Sequence, residues 1–185
     1  MEYTDATTST QVYVKVSRSD NYNDLILNGT VEITKKDVTI VINDQNVTYG
    51  QDLTLDNTKW QLQDGNSFVG SENVTLALKL DGAYTTTTAA GTTFAIIKES
   101  ISDKDGSGFK ESNYNITYSG SWANEGANKA QAGTLTVDKA NITGRTAQNY
   151  PRLYDDSAHP LTVTGNNNED KIQYSLSETS DWKDS

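Results

Sequence analysis

Apolar and polar positions alternate with a period of two along almost the whole chain. Val12, Val14 and Val16 share one face of QVYVKVS (11–17), Val31 and Ile33 one face of LILNGTVEIT (25–34), and Val38, Ile40 and Ile42 one face of DVTIVIN (37–43). NVTLALKL (73–80) does the same with Val74, Leu76, Leu78 and Leu80, and TTFAIIKES, YNITYSG, GTLTVDK, LTVTG and KIQYSLS continue the pattern. Successive side chains of a strand point to opposite faces, so this spacing predicts strands with one face buried. Turn-forming clusters (NDQN, QDGN, DKDGSG, GNNNED) fall between them. The segment 83–92, AYTTTTAAGT, is too short and too β-branched for a helix. The predicted class is all-β, built from small Ig-like or related β-sandwich units.

A repeat runs through the pattern. Gly29-Thr30-Val31-Glu32-Ile33-Thr34-Lys35-Lys36-Asp37-Val38-Thr39 aligns with Gly133-Thr134-Leu135-Thr136-Val137-Asp138-Lys139-Ala140-Asn141-Ile142-Thr143. Asn-Tyr-Asn precedes both (21–23 and 113–115), and Tyr-Gly or Tyr-Asp follows both (49–50 and 154–155). This places boundaries near 36/37 and 140/141. Residues 37–140 then form one complete repeat, 1–36 the C-terminal half of a repeat and 141–185 the N-terminal half of one. On this reading the chain starts and stops inside a single folding unit, with the two complementary pieces at opposite ends. Halves of this size bury little and leave strand edges open. The expected outcome is pairing between the C-terminal half of one molecule and the N-terminal half of the next, head to tail, with closure inside one chain and ends that fold on their own or fray as the competing arrangements.

DVTIVINDQNVTYGQDL together with SNYNITYSG and GTLTVDKA resembles the MBG and YDG repeats of large bacterial surface adhesins. YPRLYDDSAHPLTVTG is similar to the opening of a YDG repeat, with Asp156 where Gly is usual. The resemblance implies a non-enzymatic stalk or spacer on the surface of a Gram-positive cell. Its partners would be neighbouring repeats or other copies of itself.

Composition narrows the alternatives. Hydrophobic residues are 34% and charged residues 22% of 185, which suits thin cores. A net charge of −10 argues against nucleic acid, which needs Lys and Arg to displace counterions from phosphate. No apolar run approaches bilayer length. There is no cysteine, so no disulfide and no thiolate chemistry. Met1 is followed by no apolar segment of the kind a secretory signal has, as in an internal piece.

Few residues look like a site. Asp103, Asp105 and Ser107 alternate before Gly108, with Glu111 beyond, as in the first half of a calcium loop. Tyr114 stands where that loop requires a bidentate Glu, so the segment reads first as a polar hairpin loop and only then as a Ca²⁺ site. His159 is the single histidine, and Asp155, Ser157 and His159 lie too close in sequence for a catalytic triad. No acidic pair is marked for hydrolysis, and no enzyme is expected.

Tyr22, Tyr114 and Tyr174 read as core or corner residues, and Tyr49 and Tyr154 as turn residues docking on a neighbour. Trp60 and Trp122 lie outside the repeated motifs, beside Asn, Gln and Glu. They could stack on sugars, which makes binding of host glycan or mucin the alternative function. Lys35 and Lys139 end matching segments, where surface stalks place isopeptide cross-links.

Overall fold

The computed structural model describes residues 2–122, 132–148, 151–157, 162–165 and 169–184. It is strand-rich, and the one helical element among these residues is a 3₁₀ turn, Glu111–Asn113. Two compact units divide the chain, residues 1–139 and 140–185.

The first unit opens with a hairpin, β1 (Thr7–Val16) and β2 (Leu25–Ile33), whose turn carries an Arg18–Tyr22 cation–π contact at 4.9 Å and a Lys15–Asp24 ion pair. Asp5 and Ala6, just before β1, reach Lys110 and Asn113 of the rest of the unit. Lys110 Nζ lies 2.6 Å from an Asp5 carboxylate oxygen, and the Ala6 amide donates to Asn113 Oδ1 at 2.8 Å.

Two sheets follow. One contains β5 (Trp60–Leu62), β3 (Lys36–Ile42) and β8 (Tyr114–Gly120) in that order. The other contains β4 (Gln45–Thr48), β9 (Gly133–Asp138), β7 (Thr93–Asp103) and β6 (Val74–Asp81). Only Asn43 and Asp44 separate β3 from β4, so one extended segment leaves the first sheet and joins the second. Pairing is antiparallel except at two places: β3 runs parallel to β8 and β4 runs parallel to β9.

The alternation read from the sequence explains the core. Val38, Ile40 and Ile42 of β3, Val74, Leu76 and Leu78 of β6, and Leu135 and Val137 of β9 are buried in one cluster with Ile96 of β7. Between them, Thr39 bonds Thr117 at 2.8 Å and Asn115 bonds Asp37 at 2.9 Å across β3 and β8, so the outer face of that sheet is a polar ladder. Phe68, Phe109 and Tyr114 plug one part of the core, with Phe68 edge-on to both partners and Phe109 stacked on Tyr114. The Tyr114 hydroxyl accepts from the Val69 amide at 2.9 Å and donates to Glu72.

Several sequence expectations change in detail. NDQN, read as a turn cluster, contains the start of β4. The loop 103–111 ends in the 3₁₀ turn rather than running straight into β8. The strands expected in LTVTG and KIQYSLS shorten to Val163–Thr164 and Gln173–Tyr174 among the described residues, with residue 161 outside them.

The second unit is built of two short ribbons. β10 (Thr146–Ala147) pairs with β11 (Val163–Thr164), and β12 (Gln173–Tyr174) with β13 (Lys183–Asp184). A two-pronged Arg145–Asp170 contact (2.7 and 3.2 Å) and a Lys171–Asp184 pair at 3.0 Å tie it together. None of its described residues is buried, as expected for so short a piece. Asp156 takes φ 55°, the left-handed conformation that glycine ordinarily supplies. Its carboxylate accepts a 3.0 Å bond from Tyr154.

Candidate binding cleft

One surface cleft lies where β3 and β8 end. Antiparallel register sets Trp60 opposite Ile42, and parallel register sets Ile42 beside Gly120, two residues before Trp122. The sheet thus carries Trp60 and Trp122, well apart in sequence, to the same end. A shallow cleft of about 260 Å³ is lined there by Val41, Ile42, Asn43, Asp44, Ser119, Gly120 and Ser121.

Asp44 organises this end. Its Oδ1 accepts from the Thr134 amide at 2.8 Å and from the Ser121 hydroxyl, which also meets the Thr134 hydroxyl at 2.7 Å. One exposed carboxylate therefore ties the β3–β4 corner to the end of β8 and the start of β9. Sequence reading missed it. The available signal was a single Asp inside a polar cluster, and its two partners are 77 and 90 residues away. Both Trp side chains are half-buried rather than projecting. Trp60 packs against the core cluster, and the Trp122 indole N–H is buried without a partner among the described residues. Most of the segment after Trp122, residues 123–131, lies outside the described residues.

The 103–111 loop is closed on itself. Asp103 Oδ1 accepts from the Ser107 hydroxyl at 2.6 Å and from the Phe109 amide at 2.9 Å. The same hydroxyl accepts from the Asn73 amide at 2.8 Å. The bond from Ser107, above all, holds the Asp103 carboxyl below the usual aspartate range. Asp105 takes φ 56° in the turn, and Glu111 faces Lys98 at 3.6 Å. Asp103 and Ser107 are brought together, Glu111 is not brought to them, and no three acidic or histidine groups converge on a metal position among the described residues. Of Asp155, Ser157 and His159, Asp155 accepts from the Ser157 amide at 3.1 Å, and His159 lies outside the described residues. Lys35 and Lys139 are exposed.

No family model, no curated protein and no solved structure matches this chain. No helix among the described residues is long and apolar enough to cross a membrane.

Beside the Lys98–Glu111 pair, the Tyr118 hydroxyl is buried with no hydrogen-bond partner among the described residues, and the Lys98 ammonium lies 5.8 Å from its ring centroid. Burial, reinforced by the Glu111 charge, pushes the Tyr118 phenol up to about 12, and burial also raises Tyr114, helped by its bond to Glu72. A raised phenol makes the folded state keep a proton that the unfolded chain loses near pH 10. Stability is thus full below pH 10 and is lost as pH rises through about 12. Urea midpoints measured from pH 8 upward are expected to show this fall. Tyr118→Phe is expected to flatten part of it and to gain about 1 kcal/mol at neutral pH, because it removes a buried hydroxyl that bonds nothing.

Proposed function

We propose that this chain is a non-enzymatic spacer segment of a bacterial surface adhesin, whose strand-rich units transmit tension between a surface and a distal head. The observation that carries this reading is the parallel pairing of β4 with β9, Gln45 to Thr48 against Leu135 to Asp138. β3 and β4 lead into the middle sandwich and β9 is its last strand. Tension applied at Lys36 and Asp138 therefore pulls β4 and β9 in opposite directions along their own axes. Their ladder bonds share the load and must shear together instead of opening one at a time. The parallel β3–β8 pair extends the same resistance into the other sheet.

The repeat reading has support from register. Gly29 and Asp37 align with Gly133 and Asn141 at one offset, 104 residues. The same offset carries the Ile42–Trp60 pair of β3 and β5 onto the Thr146–Thr164 pair of β10 and β11. Two ribbons with little side-chain identity thus share one register. The adhesin assignment and its bacterial surface location rest on the motif resemblance.

Single-molecule stretching of the full chain between marker domains tests the reading. The middle sandwich is expected to give one high-force event releasing roughly 350 Å of chain, at about 3.5 Å per extended residue. The β1–β2 hairpin, pulled from its open end, is an internal standard that unzips at low force. A middle unit yielding at forces no higher than this hairpin would overturn the proposal.

A second reading has one observation in its favour, the placement of Trp60 and Trp122 at the same end of one sheet: a module that binds glycan or mucin. Binding on a mucin-glycan array would select it over a pure spacer, and no binding on the array would leave the spacer reading alone.

A further inference from the structure

Two residues, Thr34 and Lys35, join the end of β2 to the start of β3, and they are the covalent connection between the β1–β2 hairpin and the sandwich. Both are exposed, and each keeps two soft backbone torsions, so this link by itself would let the hairpin swing. The hairpin has a second attachment. The chain just before β1 reaches the 3₁₀ turn Glu111–Asn113, where Asn113 holds it with both ends of its side-chain amide. Asn113 Oδ1 accepts from the Ala6 amide at 2.8 Å, and Asn113 Nδ2 donates to Asp5 Oδ1 at 3.0 Å. Asp5 Oδ2 accepts from Lys110 Nζ at 2.6 Å.

The two attachments meet at a cavity of about 140 Å³. Thr4, Ala6 and Thr34 line it from the hairpin's side, and Val69, Glu72 and Tyr114 from the sandwich. Residues 4–6 therefore lie over the Tyr114 end of the aromatic plug, where the phenol bonds Val69 and Glu72. The bond from Asn113 first, and that from Lys110 second, hold the Asp5 carboxyl below the usual aspartate range, so it stays charged wherever ordinary aspartates do. An exposed ion pair alone holds little, since water and salt compete for both charges. Here three bonds act together on a segment that the link already keeps near its partners, which lowers the entropy cost of closing them.

We propose that residues 4–6 are a strap which, by closing on Asn113 and Lys110, turns the two-residue link from a hinge into a fixed joint and sets the angle of the hairpin on the sandwich. The strap goes beyond the spacer reading and does not depend on it, because a stiff joint and a shear-resistant sandwich can each exist without the other. None of Thr4, Asp5 and Ala6 belongs to the buried core, so opening the strap leaves both the hairpin and the sandwich folded and changes how they sit.

The chain has no cysteine, so nitroxide labels can be placed at Asn28→Cys, on β2, and Thr75→Cys, on β6. Double electron–electron resonance on the full chain is expected to give one narrow distance distribution. Asn113→Ala and Asp5→Ala are each expected to widen it at least twofold, at an unchanged urea midpoint for the sandwich. Lys79→Ala, at an exposed position of β6, is expected to leave the width as it was. If Asn113→Ala also lowers the urea midpoint, Asp5→Ala decides, since its carboxylate lies outside the sandwich core. A broad distribution before either substitution, or an unchanged width in Asp5→Ala, would overturn the proposal. The stretching experiment judges the spacer reading separately.

Discussion

Gly120→Ala is expected to cost the middle sandwich about 3 kcal/mol or more, and Gly133→Ala about 2 kcal/mol, while Gly29→Ala changes stability by less than about 0.5 kcal/mol. The three glycines sit in comparable strand contexts, and two of them hold the same place in the repeated motif. What separates them is space. A Cβ on Gly120 would lie 2.2 Å from the Ala132 carbonyl oxygen, a collision with backbone that no rotamer relieves. On Gly133 it would lie 2.8 Å from the Asn43 oxygen and 2.9 Å from that of Ile42, where the chain turns the corner from β3 to β4. On Gly29 it would meet nothing within 4 Å. Urea unfolding followed by tryptophan fluorescence, with Trp60 inside the unit, measures all three. Equal losses at Gly29 and Gly133 would show that the corner does not press on β9 as described.

Leu135→Ala is expected to remove about 3 kcal/mol, and its repeat partner Val31→Ala about 1 kcal/mol in dilute solution. Leu135 is fully enclosed between the two sheets, so its loss leaves a cavity with no room to collapse. Val31 is only half-buried on the hairpin, and water already reaches it. Urea unfolding midpoints of the two variants measure the difference, and equal losses would mean that Val31 is enclosed as fully as Leu135.

The contrast between Gly29 and Gly133 marks the limit of sequence reading here. Alternation alone placed β3, β6, β8 and β9 and picked out Val38, Ile40, Ile42, Leu76, Leu135 and Val137, because a period of two has one physical meaning once an element buries a face. It missed β4, whose four residues begin in a polar cluster where only Val47 is buried. For the candidate cleft, Trp60 and Trp122 were visible as residues, whereas Asp44 was not, since its role depends on partners from β8 and β9.

By itself, then, the order of residues determined the all-β class, the inward faces of the longer strands and the motif shared by Gly29 to Thr39 and Gly133 to Thr143. Tertiary structure alone decided which strands are neighbours, that β3–β8 and β4–β9 run parallel, and which glycine is pressed by backbone. The reason is that inward and outward facing is set by each residue's position in its own strand. Strand order and direction are instead set by contacts between segments up to 92 residues apart, such as Asn46 and Asp138, and nothing in the local pattern encodes those.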